Sequence, residues 1–198
     1  MSYGKKGVNL NYEVLKNING LAGDGSTFLD HFMIFVTDGS LYILGIILLA
    51  MWLFGNTYTK KSAIYAAVAG IVAILINVLI SQFYYEPRPF VTYDDINVLV
   101  PHAADASFPS DHTAGAMGLT FVLMLRHLKW GSLAVVFGLL TGFSRIYVGN
   151  HYPGDVLAGI AVGFISAAIF TNFRIIMEPI TTFIVGIWYK LPFTGQDR

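Results

Sequence analysis

The chain has 198 residues, the length of a single domain. Hydrophobic residues make up 55% and charged residues only 12%, about half the charged share of an ordinary soluble domain. With a mean hydropathy of +0.62 this composition excludes a water-soluble globule and marks a protein embedded in a lipid bilayer. The net charge is zero, so nothing in it selects nucleic acid, and without cysteine there is no disulfide, thiol nucleophile or thiolate metal site.

The first twenty residues are polar and amphipathic and lack the apolar centre of a cleavable signal peptide. Within residues 9–19, Leu10, Val14, Leu15 and Ile18 share one face, with Glu13, Lys16 and Asn17 elsewhere on the wheel. That spacing predicts a short helix lying in the membrane interface. Residues 20–25 read as a hinge. Residues 26–37 are apolar but hold Asp30 and His31, and are too short to span unless extended or locally thinned. Asp38-Gly39 punctuates the run, residues 41–54 form the next hydrophobic helix, and residues 56–61 a polar loop. Residues 62–84 are a clear span, and residues 86–109 a long loop carrying Asp94, Asp95, His102 and Asp105, of a length that is usually functional. Spans follow at residues 111–125, 130–148 and 154–173, the first two separated by Arg126-His127-Leu128-Lys129. Residues 178–193, with Trp188, Tyr189 and Lys190 near the end, read as an interfacial tail. The expected fold is all-α: one domain over residues 1–198, an integral membrane bundle of six transmembrane helices with a short N-terminal interfacial helix. Gly138, Gly142, Gly159 and Gly163, spaced in fours, predict close approach of the last two spans.

Three polar stretches interrupt this apolar pattern. In Ser144-Arg145-Ile146-Tyr147-Val148-Gly149-Asn150-His151-Tyr152-Pro153-Gly154-Asp155 a guanidinium sits in an apolar run, where it is costly. Pro153-Gly154 breaks the run, so Arg145, His151 and Asp155 meet at a helix junction. A carboxylate beside an imidazole fixes its tautomer and leaves the other ring nitrogen as a nucleophile; alone, the stretch reads equally as a polar loop that holds a histidine. In Phe108-Pro109-Ser110-Asp111-His112-Thr113, proline and serine signal a helix start whose free N–H groups suit an anion, with His112 in the same turn. Tyr85-Glu86-Pro87-Arg88-Pro89-Phe90 adds a second arginine where a span ends. Two arginines, a helix start and two histidines converge on one ligand type, a phosphoryl group.

Arg88-Pro89, then Pro109-Ser110-Asp111-His112, then Ser144-Arg145, His151 and Asp155 resemble, in order and spacing, the three-part signature of the type 2 phosphatidic acid phosphatases. The flanks 85–90 and 101–109 resemble those of the bacterial undecaprenyl-pyrophosphate phosphatases of the bacitracin-resistance type. One departure stands out. The family pattern has a lysine seven residues before the first arginine, where this chain has Ser81, at the head of the signature region 81–155. The resemblance implies His151 as the nucleophile forming a phosphohistidine, Asp155 as its orienting carboxylate and His112 as the proton donor that later activates water. It implies substrate binding by Arg88, Ser110, Asp111, Ser144 and Arg145. Phosphoryl transfer needs positioning and charge stabilisation, which guanidinium and N–H groups supply, so neither a metal nor another cofactor is expected.

His102 and Asp105 read either as ligands of a second phosphate or a cation or as a water-facing polar loop, Glu86 as an orienter of Arg88 or a turn cap, and His31 and His127 as interfacial and solvated. Lys60, Lys61, Arg126, Lys129 and Arg174, with Lys5, Lys6 and Lys16, are assigned to the side opposite the motifs, so the positive-inside rule turns the active site outward from a bacterial plasma membrane. The resemblance implies hydrolysis of undecaprenyl diphosphate to undecaprenyl phosphate and inorganic phosphate, recycling the cell-wall lipid carrier. The partners expected are the polyprenyl diphosphate and the bilayer, with no nucleic acid. Phosphatidylglycerophosphate or another lipid phosphate is the alternative substrate, and a lipid-phosphate binder or transporter the alternative outside enzymes. A soluble vanadium haloperoxidase shares the motif set, but the apolar spans oppose it.

Overall fold

A computed structural model describes residues 10–191, so the expectations placed on Lys5, Lys6, Asn9 and residues 192–193 lie outside the described residues. Among the described residues the helices are α1 (Leu10–Asn19), α2 (Phe28–Phe54), α3 (Thr57–Phe83), α4 (Pro89–Thr92), α5 (Asp111–Leu125), α6 (Gly131–Tyr147), α7 (Pro153–Asn172) and α8 (Arg174–Trp188). The all-α class is as expected, and α2, α3 and α7 are long and apolar enough to cross a membrane.

The first two apolar pieces prove to be one helix. α2 opens with a capping box, Thr27 Oγ1 accepting from Asp30 N and the Asp30 carboxylate from Thr27 N, and runs unbroken through Asp38-Gly39. A glycine inside a helix costs about 1 kcal/mol, whereas opening backbone hydrogen bonds near hydrocarbon costs several. Thr37 Oγ1 donates to Ser144 Oγ at 2.8 Å, which sets residue 37 level with the last turn of α6. Residues 28–36 therefore run on about 14 Å past that contact, at 1.5 Å per residue. There Asp30 accepts Tyr147 Oη at 2.8 Å, a structural use for a carboxylate expected only to interrupt a span. At the other end, Asn56 caps α3 through Thr59 N, so residues 57–61, expected as loop, are its first turns.

α8 does not cross. Near its start Glu178 binds Lys61 Nζ at 2.8 Å and Tyr65 Oη at 3.0 Å. At its end Trp188 packs edge-on to Trp52, and Tyr189 Oη lies 3.2 Å from Thr57 Oγ1. Both halves thus rest on one end of the bundle, which agrees with the expected interfacial tail. Two of the six spans expected from the sequence are thus one helix, α2.

α1 corrects the charge count. Lys16 Nζ bonds Asp95 Oδ2 at 2.6 Å, Asn19 Nδ2 bonds the Asn97 and Tyr147 carbonyls at 2.8 Å each, and Gly154 N donates to Asn11 Oδ1. Lys16 therefore stands on the motif end and not opposite it.

α5 is the central helix, with ten of its fifteen residues buried, many of them small. Small side chains let membrane helices pack backbone to backbone. A Cβ at Gly159 would come within 2.8 Å of the Ser110 carbonyl oxygen, and one at Gly163 within 2.7 Å of Gly118 N. Both α7 glycines thus accommodate α5, as Gly138 does at Met117 and Thr120; only Gly142 meets the other expected partner, at Val156 of α7. The glycine spacing seats α5 between α6 and α7 and so brings its N-terminus to the α6–α7 turn.

Candidate active site

His151 sits in that turn. The Asn150 and His151 N–H groups both donate to the Arg145 carbonyl, at 3.1 and 3.2 Å. Gly149 makes the reversal with φ +84, a left-handed conformation, and a Cβ there would lie 2.6 Å from the Asn97 carbonyl oxygen. Asp155 closes the first turn of α7: its Oδ2 accepts Tyr152 N at 2.9 Å, Ser107 Oγ at 2.5 Å and His151 Nδ1 at 3.3 Å. From the loop before α5, Arg88 reaches the other side of the ring. Its Nη1 stands 3.1 Å from His151 Nε2 and donates to the Asn150 carbonyl at 3.0 Å, while Nε donates to Asp105 Oδ1 at 2.7 Å.

This arrangement decides the tautomer. Arginine has donors only, so the nitrogen facing it presents a lone pair. Nε2 is therefore unprotonated, and the proton of the neutral ring sits on Nδ1, toward Asp155. Arg88, His151 and Asp155 are all buried, at 4%, 2% and 0% exposure, so the chain retains a positive and a negative group on either side of one imidazole out of water.

Burial, then the charges of Arg145 and Arg88, hold the His151 imidazole well below its ordinary value, so the ring is neutral near pH 7. Burial, with Arg88 and Arg145, also lowers His102 against its hydrogen bond to the Ala103 carbonyl. Asp105 is pushed up by burial but more strongly pulled down by its hydrogen bond and charge pairing with Arg88, which leaves it ionised. Burial, then the charge of Asp155, raises Glu86.

Arg145 is 2% exposed, and its Nε and Nη2 have no hydrogen-bond partner, though Arg88, Asp38, Asp111 and Asp105 lie within electrostatic reach. A buried guanidinium with idle donors is costly and suits an oxyanion. His112, in the first turn of α5, is within electrostatic reach of Arg145, His151, His102 and Arg88. Ser110 precedes α5 without capping it: its Oγ accepts Thr113 Oγ1 at 2.9 Å, and its N–H donates to the Asp155 carbonyl at 3.2 Å. The first N–H groups of α5 are thus left without a side-chain acceptor, as an anion site requires.

These positions match a known pattern. Residues 62–175, more than half of the chain, match the PAP2 superfamily. The chain belongs to the PAP2 superfamily. It is 47% identical over 179 residues to the undecaprenyl-diphosphatase BcrC of Bacillus subtilis, covering 90% of this chain and 92% of that one. To a Bacillus licheniformis protein named bacitracin transport permease protein BcrC it is 35% identical, over 80% of this chain and 77% of the other. Among solved structures, that of Aquifex aeolicus LpxE superposes with a TM-score of 0.68 at 30% identity, covering 87% of this chain and 99% of that chain.

Within this PAP2 site the structure gives several of the residues singled out in the sequence partners of their own. Ser144 Oγ donates to the Thr141 carbonyl at 2.8 Å and accepts from Thr37, so its hydroxyl is spent between α6 and α2. Asp111 is exposed at the start of α5. Ser81, in the place of the PAP2 lysine, bonds back to the Val78 carbonyl of its own helix. The carboxylate that orients Arg88 is Asp105, and Glu86 contributes its backbone carbonyl to Ser107 N. Ser107 was missed altogether, since a serine in a long loop has no spacing signal that ties it to Asp155 48 residues on. Asn150, fully buried with both amide atoms unpartnered, stood inside the polar stretch 144–155 but was given no role there.

Proposed function

We propose that this protein is a membrane phosphatase that hydrolyses undecaprenyl diphosphate to undecaprenyl phosphate and inorganic phosphate. The observation that carries the reading is the His151 ring, held at Nδ1 by Asp155 and presenting an unprotonated Nε2 to Arg88. The name and extent of the Bacillus subtilis relative support the substrate. Nε2 attacks the terminal phosphorus, the bond to the bridging oxygen breaks, and undecaprenyl phosphate leaves as the phosphohistidine forms. His112 protonates the leaving oxygen, then takes a proton from the water that cleaves the phosphohistidine. Arg88, now donating to Nε2, turns to the phosphoryl oxygens together with Arg145 and the N–H groups of α5; Asp111 and Ser110 border that anion site. Binding or transport alone, as the name of the Bacillus licheniformis relative has it, gives no use for a tautomer-locked imidazole.

Five crossings with α1 and α8 on opposite faces complete the membrane reading. Lys60, Lys61, Arg126, Lys129 and Arg174 remain at the end away from His151 after Lys16 is moved to the motif end, so the site opens on the outer face of the plasma membrane. The decisive assay is phosphate release from undecaprenyl diphosphate by the purified chain in detergent, with chelator present. Release of one phosphate with accumulation of the monophosphate is the expected result. Faster release from phosphatidylglycerophosphate would reassign the substrate.

A further inference from the structure

Apolar grooves open on the sides of the bundle among the described residues. One, of about 390 Å³, lies between α2 and α6 from Leu140 down to Trp130, toward the end away from His151. A second, of about 330 Å³, lies between α1 and α7, and its polar rim is already bonded, Gly154 N to Asn11 Oδ1. A third, of about 230 Å³, lies between α2 and α3 with Leu41, Gly45, Ile71, Ile74, Gly115 and Leu119 on its walls. Its position is the informative one. Gly115 and Leu119 are four and eight residues along α5 from Asp111, about 6 and 12 Å below the helix start at 1.5 Å per residue. The groove therefore begins one turn beneath the anion site.

Just above it on α3 stands a buried polar group. Asn77 lies one turn beyond Ile74, is 1% exposed, and neither amide atom makes a well-formed hydrogen bond, the neighbour within reach being the Asp111 carboxylate. A buried amide without a full set of partners costs about 1–3 kcal/mol and suits a further polar group at the anion site. An amide at the top and a wholly apolar slot below reproduce the head-to-tail chemistry of a lipid phosphate. We infer that the first isoprene units of the substrate lie in the groove between α2 and α3, entering past Asn77, whose amide hydrogen-bonds the phosphate that stays on the lipid. The inference rests on the phosphatase reading above and adds the path of the chain.

Gly45 permits the test. A Cβ there meets nothing within 4 Å, and replacing a helical glycine favours the helix, so Gly45→Phe fills the groove without disturbing the fold. The purified full chain is assayed on undecaprenyl diphosphate and on dimethylallyl diphosphate, which has a diphosphate head but one isoprene unit. In Gly45→Phe, KM for the long substrate rises about tenfold, the equivalent of burying roughly 55 Å² of apolar surface, while kcat/KM for the short one is unchanged. Val136→Phe, which fills the groove between α2 and α6, leaves both substrates unchanged. Asn77→Leu weakens both substrates, since both carry the phosphate that its amide meets, while the Tm holds; a structural Asn77 would lower the Tm together with both activities. Equal effects of Gly45→Phe on the two substrates, or no effect, mean that only bulk lipid fills the groove and overturn the inference, as does a selective effect of Val136→Phe. If the wild-type chain releases phosphate from neither diphosphate, the phosphatase reading itself fails, and the groove assignment with it.

Discussion

Ser107→Ala tests the architecture of the nucleophile without touching the nucleophile. Three donors converge on Asp155 Oδ2, and Ser107 Oγ is the nearest, at 2.5 Å against 2.9 Å for Tyr152 N and 3.3 Å for His151 Nδ1. A hydrogen bond to a charged group contributes about 1.5–3 kcal/mol, which corresponds to about 10- to 150-fold in rate if it is fully expressed in the transition state. Two donors survive the substitution, and Tyr152 N still anchors the carboxylate, so the lower end applies: kcat should fall about 10- to 30-fold. KM should not change, because Ser107 is bonded to Asp155 and not aimed at the phosphoryl group. The pH profile separates positioning from damage. With one donor fewer, Asp155 stabilises the imidazolium more strongly, so the pKa of His151 rises and the acid limb of kcat/KM moves to higher pH. A variant that merely unfolds in part loses kcat with its acid limb in place. A kcat within twofold of wild type and an unmoved limb would refute the assignment of Ser107 as the residue that positions Asp155.

His151→Ala should abolish phosphate release and phosphoenzyme formation while the chain stays folded, as read by trapping with labelled substrate; near-wild-type release sinks the nucleophile assignment. Because burial and the two arginines depress the pKa of His151, protonation removes the Nε2 lone pair only at low pH, so activity should decline on acidification below the ordinary histidine value of about 6.5; a limb above that value contradicts the electrostatics. Arg145→Lys should reduce kcat/KM at least about tenfold with no loss of Tm, since Nε and Nη2 make no hydrogen bonds to lose; a large drop in Tm would make Arg145 a structural residue. For topology, a cysteine placed at Asn97 should react with an impermeant thiol reagent from outside the cell and one at Thr59 should not, in a chain with no native cysteine; the reverse labelling turns the site to the cytoplasm.

Much of the protein was legible in one dimension because its constraints are local. Hydrocarbon tolerates few free polar groups, so composition alone declared the membrane class, and the starts of α5 and α7 were marked by Pro109-Ser110 and Pro153. The pairing of His151 with Asp155 was legible too, because four residues bring two side chains together across a turn. What the tertiary structure decided are the pairings with no sequence period. Asp38-Gly39 reads as a break until the rest of α2 is seen packed past Ser144. Lys16 counts toward the basic side until its bond to Asp95 places α1 on the motif end. Arg88 meets His151 63 residues away, and Ser107 meets Asp155 across 48, only because small residues on α5 and glycines on α7 let those helices touch along their length. The chemistry of the site is written in residue types that the sequence displays, but which nitrogen carries the lone pair follows from a contact that only the fold supplies.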